Sequence, residues 1–248
     1  MKKILLLCGM LLALTATVAS AAGVNLSWDN CGAAGGPSKT FNCATNTGSA
    51  VFVASVSAPA GIGLWTSFET EIQVQSNGAW PAWWALRNQT GQTGQCRAGA
   101  LSTSQDFTGA PYAGACGDTY LNQGAGGITT YLVGFNGANR ARLAVTYSVP
   151  SANQVPLDPG FEYFSMRGSI LYTKTVGTGA CAGCNEGVCL VCTYVRCLQP
   201  AGAPGGNISV TNPAGRNYIM WNGATTETCN GATPTKSTTW GSVKALYR

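Results

Sequence analysis

The chain has 248 residues, of which only 14 are Lys or Arg and 9 are Asp or Glu; none is histidine, and the formal charge is +5. No basic run exists, the densest pair being Arg140 and Arg142, so the clustered cations that release counterions from nucleic acid are missing. Without histidine there can be no Ser–His or Cys–His nucleophilic pair and no mixed Cys/His zinc site.

The first 21 residues read as a cleavable secretory signal. Lys2 and Lys3 give a basic start, and Ala19-Ser20-Ala21 a small-x-small cleavage site. The apolar run Ile4–Val18 between them is shorter than the roughly 20 residues of a spanning helix, so no membrane span remains after cleavage. Removal of this segment takes away Cys8 and leaves ten cysteines, an even number, in a chain bound for an oxidising compartment. Five disulfides are expected, with a secreted, surface or periplasmic location and no cofactor.

Val24–Trp28 alternates apolar and polar side chains and predicts a first strand, with Lys39–Cys43 as a short return strand after turn residues. Cys31 and Cys43 flank this unit; paired, they would close a loop of about a dozen residues, a restraint of ~3 kcal/mol on the unfolded chain. Ala50–Ala58 is a second strong strand. Leu64–Gln75 carries the cleanest period of two: Phe68, Thr70, Ile72 and Val74 on one face, Glu69, Glu71, Gln73 and Gln75 on the other. Trp80-Pro81-Ala82-Trp83-Trp84 follows, then a polar loop, and Cys96 and Cys116 are expected to close the next span as one disulfide loop.

Ile128–Phe135 and Asn139–Val149 read as strands joined at Asn136-Gly137. Phe161–Lys174 and Val188–Leu198 are two long strands; Asn207–Thr211 and Asn217–Asn222 are short ones. No βαβ alternation occurs. The pattern predicts an all-β, antiparallel β-sandwich (jelly-roll or Ig/cohesin-like) of about nine to eleven strands. It occupies residues 22–232 as one domain, followed by a linker and docked tail over 233–248. On a helix, Trp240, Val243 and Tyr247 of that tail share one side, giving a terminal helical turn or a sorting signal.

Five cysteines crowd Cys181–Cys197. Cys181 and Cys184, then Cys189 and Cys192, form two pairs with only four residues between them, against the roughly 12 to 20 that let two zinc knuckles face one ion. A redox Cys181–Cys184 couple would need a helix N-terminus to depress its thiol pKa, and turn and strand follow instead. Structural disulfides are the reading that remains. On a regular strand Cys189 and Cys197 share a face and Cys192 takes the other, so they need different partners, with Cys229 the long-range candidate for one of them.

Trp80, Trp83 and Trp84, with Tyr112 and Tyr120, are the candidate binding residues: exposed aromatic faces beside Asn, Gln and Asp would suit sugar rings. In an extended chain Trp83 and Trp84 point opposite ways, one of them into the core. Glu69 and Glu71, about 7 Å apart at a rise of roughly 3.4 Å per residue, are the candidate carboxylate pair for glycan hydrolysis. Their alternative role is to solubilise the wet face of the strand.

The ending Thr239-Trp240-Gly241 with Lys244–Arg248 resembles that of a group of uncharacterised secreted proteins of environmental bacteria. Pro81-Ala82-Trp83-Trp84, Asn139–Leu143 and Cys181–Cys184 resemble theirs too. The resemblance implies secretion and a shared fold, and no activity. The strand order is more loosely similar to cohesin-type and carbohydrate-binding-module sandwiches, a likeness that does not fix function. The expected role is a non-catalytic structural or binding one outside the cell, with glycans or other extracellular surface proteins as partners. Carbohydrate binding through the aromatic set is the first alternative, and a two-carboxylate glycan-active enzyme the second.

Overall fold

The period of two over residues 67–76 becomes a strand with one core face. In the computed structural model, which describes residues 22–89 and 91–230, Phe68, Ile72 and Val74 enter the core while Glu69, Gln73 and Gln75 stay half-buried opposite them. The signal segment and the tail from 233 lie outside the described residues. Numbered in chain order, the strands are β1 (Gly23–Trp28), β2 (Ser38–Lys39), β3 (Ser49–Ser57), β4 (Ser67–Ser76), β5 (Leu101–Ser104) and β6 (Ala125–Val133). They continue with β7 (Arg140–Ser148), β8 (Glu162–Leu171), β9 (Val188–Leu198), β10 (Ile208–Val210) and β11 (Tyr218–Trp221), before a short helix α1 (Thr226–Asn230).

Two sheets result. One runs β1-β3-β8-β5; the other runs β2-β11-β9-β4-β7-β6, with β10 beside β9. Every named pair is antiparallel except β2 with β11. The core between the sheets holds Trp28, Phe52 and Met166 from the smaller one and Phe68, Leu143 and Leu190 from the larger. An all-β, disulfide-stapled sandwich is therefore the fold. Two exposed edges are covered. Residues 212–216 bond to β1 through Val24 and Leu26, and Gln89 and Gln92 bond to β6.

Sequence and structure differ at three elements. The return strand shrinks to Ser38–Lys39, because Cys43 adopts a left-handed backbone (φ 57°) that ends extended pairing. The strand β5 was not expected, since Leu101 alone of its four residues is buried. Trp80–Trp84 is no strand: Pro81 leads into a 3-10 turn over Ala82–Trp84.

Four disulfides form, and their connectivity corrects the short loops expected from sequence. Cys31 pairs with Cys116, Cys43 with Cys184, Cys96 with Cys181, and Cys189 with Cys229. Neither Cys31–Cys43 nor Cys96–Cys116 exists. The first bond fastens the loop over residues 105–123 onto the outer face of the small sheet, over Val53 and Phe164. The last pins α1 to the outer face of the large sheet beside Val191 and Met220. The middle two clamp the segment between β8 and β9.

Cys192 and Cys197 are free and buried, so the expected fifth disulfide is absent. The cause is a bulge at Thr193: Glu71 pairs with Tyr194 and Ile72 with Cys192, leaving Thr193 as the extra residue. That residue reverses the alternation, so Cys197 joins Cys192 on the core face instead of sharing the outer face with Cys189. Five residues apart on one strand, they are separated by well over the ~7 Å a disulfide tolerates between Cα atoms.

Candidate functional site

Each set singled out in the sequence has a definite place. Trp83 and Trp84 are both 0% exposed, Tyr120 is 0% and Tyr112 7%, while Trp80 is half-buried. They do not form an exposed platform. Trp83 and Trp84 enter the core together because a 3-10 turn rotates successive side chains by about 120°, where a strand would send them to opposite faces. Trp83 stacks on Trp221 with centroids 5.2 Å apart and donates its indole N–H to Thr175 Oγ1 at 3.0 Å. Tyr120 packs on Trp65 and donates to the Ser165 carbonyl at 2.8 Å. Tyr112 lies in the separate cluster under the Cys31–Cys116 bond.

Arg97, which sequence reading passed over, is what holds this aromatic region. It is 1% exposed and faces Trp83 with its guanidinium carbon 3.5 Å from the ring centroid. It donates to the carbonyls of Trp83 and Thr173 at 2.8 Å each, and to that of Leu171. Burial lowers its pKa to about 10. Its position directly after Cys96 was the only signal, and a single arginine in a polar loop does not announce burial.

Glu69 and Glu71 share the outer face of β4, as the alternation required, and both are engaged. Glu71 approaches Arg142 Nε at 2.6 Å as an ion pair without aligned hydrogen-bond geometry, and accepts from Thr193 Oγ1 at 2.9 Å. Glu69 accepts from Tyr194 Oη at 2.5 Å and meets Arg196 at 3.5 Å. Burial and the adjoining Glu69 push the Tyr194 hydroxyl up to about 12. Carboxylates bound in this way anchor β4 to β7 and β9.

The cysteines of the Cys181–Cys184 turn bond to different, distant partners, so they form neither a redox couple nor a metal pair. Among the described residues no group of three or more Cys, Asp or Glu side chains is placed to hold a metal.

One further cluster was invisible in the sequence. A cleft of about 420 Å³ lies at the edge of the small sheet, lined by Asn25, Leu26, Gly32, Glu162, Ala214, Gly215 and Arg216. Asn25 Oδ1 accepts from the backbone amides of Gly215 (2.9 Å) and Arg216 (3.2 Å), fixing the loop before β11. Its Nδ2 donates to Glu162 Oε1 at 2.9 Å, and Ser55 Oγ donates to the same oxygen at 2.5 Å. Gly32 holds the opposite wall with φ 52°, and a Cβ there would stand 3.1 Å from Glu162 Oε2.

Fold and staples together define a disulfide-rich β-sandwich suited to an oxidising compartment. No family model matches the chain, and no curated protein does. Among solved structures, the sixth cohesin of scaffoldin B from Acetivibrio cellulolyticus, solved with a bound dockerin, aligns at 8% identity and TM-score 0.27. The alignment covers 77% of this chain and 99% of that one. A superposition of that quality carries no argument about function.

Proposed function

We propose that the protein is a non-catalytic component acting outside the cytoplasm, with a structural or binding role. The observation that carries this is the disulfide set: of four bonds, three close 85 residues or more, two fasten segments over the outer faces of the sandwich and two clamp the segment between β8 and β9. Such bonds persist in oxidising compartments and are rare where glutathione keeps thiols reduced. The engagement of Glu69 and Glu71 supports the absence of two-carboxylate hydrolysis. Burial of Trp83, Trp84, Tyr112 and Tyr120 leaves only the half-buried Trp80 of the rings on which the carbohydrate reading rested, which supports the non-carbohydrate reading.

Fractionation of the native host followed by non-reducing peptide mapping tests the proposal. The protein is expected outside the cytoplasm with the four named bonds intact and Cys192 and Cys197 as thiols. A cytoplasmic pool with all ten cysteines reduced would overturn it, and so would turnover of a glycan that is lost in Glu71→Gln.

A further inference from the structure

The Asn25–Glu162–Arg216 cleft contains two opposite charges that do not meet. Glu162 Oε1 is held by two donors, whereas Oε2 has no hydrogen-bond partner among the described residues and faces Gly32. Arg216 gives one N–H to the Gly35 carbonyl at 3.2 Å, and its Nε is buried with no partner at all. No salt bridge within 4.0 Å joins Glu162 or Arg216 to any other described residue, including each other. The Arg216 Nε, buried without an acceptor, is costly unless something else satisfies it, while the Glu162 Oε2 remains open to a donor.

The walls also keep the space open. Gly32 carries no side chain where a Cβ would press on the carboxylate, and Gly215 carries none where a Cβ would lie 3.3 Å from Asn25 Oδ1. The Glu162 carboxylate is oriented by Ser55 from β3 and by Asn25, whose other end is occupied by the 215–216 amides. This is the preorganisation a binding site needs, because little remains to be ordered when a ligand arrives.

We infer that this cleft binds a small zwitterion of amino-acid size, its ammonium on Glu162 Oε2 and its carboxylate on the Arg216 guanidinium. The volume of about 420 Å³ falls in the range of small-molecule sites. One negative and one positive group complement a ligand bearing both signs, and a guanidinium fork matches a carboxylate. No aromatic side chain among the described residues lines the cleft, so a pyranose would find no ring there to stack on. The inference builds on the binding branch of the role proposed above.

The test is an amide-shift titration of the isotope-labelled exported protein with alanine, alongside ethylamine and acetate as single-charge controls and glucose as a neutral one. Alanine is expected to shift the Gly32, Gly215 and Arg216 amides saturably, and each single-charge control to bind at least tenfold more weakly, the loss of one charge-assisted hydrogen bond. Glu162→Gln keeps the acceptor for Asn25 and Ser55 and should weaken alanine binding by about tenfold with the thermal midpoint unchanged. Arg216→Gln should do the same, and serves if Glu162→Gln does not fold. No saturable shift with alanine, glucose binding as tightly as alanine, or undiminished binding in either folded variant overturns the inference. Those outcomes leave the disulfide map and export untouched, so failure here is distinguishable from failure of the broader reading.

Discussion

The Cys43–Cys184 bond offers the cleanest quantitative prediction. Taken alone it closes 141 residues, but Cys96–Cys181 lies inside that loop and, with Cys31–Cys116, short-circuits it. The shortest covalent path from Cys43 to Cys184 then runs back to Cys31, across to Cys116, back to Cys96, across to Cys181 and on to Cys184, about 35 residues in all. Chain-entropy loss for a loop of that length is ~4 kcal/mol, against ~5 for the uninterrupted loop. Replacing both cysteines by alanine should therefore cost about 4 kcal/mol, a fall of about 8–16 °C in thermal midpoint for a domain of this size. Loss of packing at Cys184, which is 5% exposed, adds to that cost. Guanidinium unfolding under non-reducing conditions measures it, with Cys43→Ala/Cys184→Ala compared with the parent protein. A loss below ~1 kcal/mol would refute the assignment of this bond as a major restraint. Repeating the substitution with Cys96→Ala and Cys181→Ala already present should raise the cost by a further ~0.7 kcal/mol, because the shortest path then lengthens to about 80 residues through Cys31–Cys116.

Two other consequences can be checked directly. Gln92 meets the Val133 backbone with both amide atoms (2.7 and 3.0 Å), as a neighbouring strand would, and Gln89 accepts from the Tyr131 amide at 2.6 Å. Gln92→Ala should cost about 1–2 kcal/mol and expose the β6 edge, giving concentration-dependent association by size-exclusion chromatography; a monomer at every concentration counts against edge protection. Burial pushes the Cys197 thiol up to about 12 and raises that of Cys192 as well. Neither should react with a thiol reagent until the protein is unfolded. Because their folded pKa values stand above the unfolded value, their contribution is complete below pH ~9 and is lost as pH rises toward about 12. Stability that stays level from pH 9 to 11 in a Cys197→Ala comparison would contradict this.

Local periodicity carried most of the fold. The alternation in β4 and in β7, where Leu143, Val145 and Tyr147 face inward, needed no long-range information, and nor did the turns that separate the strands. Cysteine pairing was not legible, because each bond reports how distant loops fall together. Cys31 finds Cys116 only because the 105–123 loop folds across the small sheet. The Trp83-Trp84 pair is hard to read for a different reason: opposite faces require an extended backbone, and Pro81 leads into a 3-10 turn instead.

The bulge at Thr193 shows how far one residue can redirect the chemistry of a chain. Its hydroxyl reaches Glu71 Oε1 at 2.9 Å and the Glu71 carbonyl at 3.3 Å, so the extra residue is held by the same carboxylate that anchors β7 through Arg142. With regular pairing Cys197 would emerge on the outer face alongside Cys189, where a thiol can be oxidised or compete for Cys229. With the bulge it is sealed in the core on the same face as Cys192. Glu71 therefore does more than solubilise a wet face: by fixing the register of β9 it helps decide which cysteines form staples and which remain thiols. The testable corollary is that Thr193→Val, which keeps the volume but removes the hydroxyl, should loosen the bulge and make Cys197 reactive in the native protein. If labelling of that variant stays confined to the denatured state, the bulge is held by backbone pairing alone.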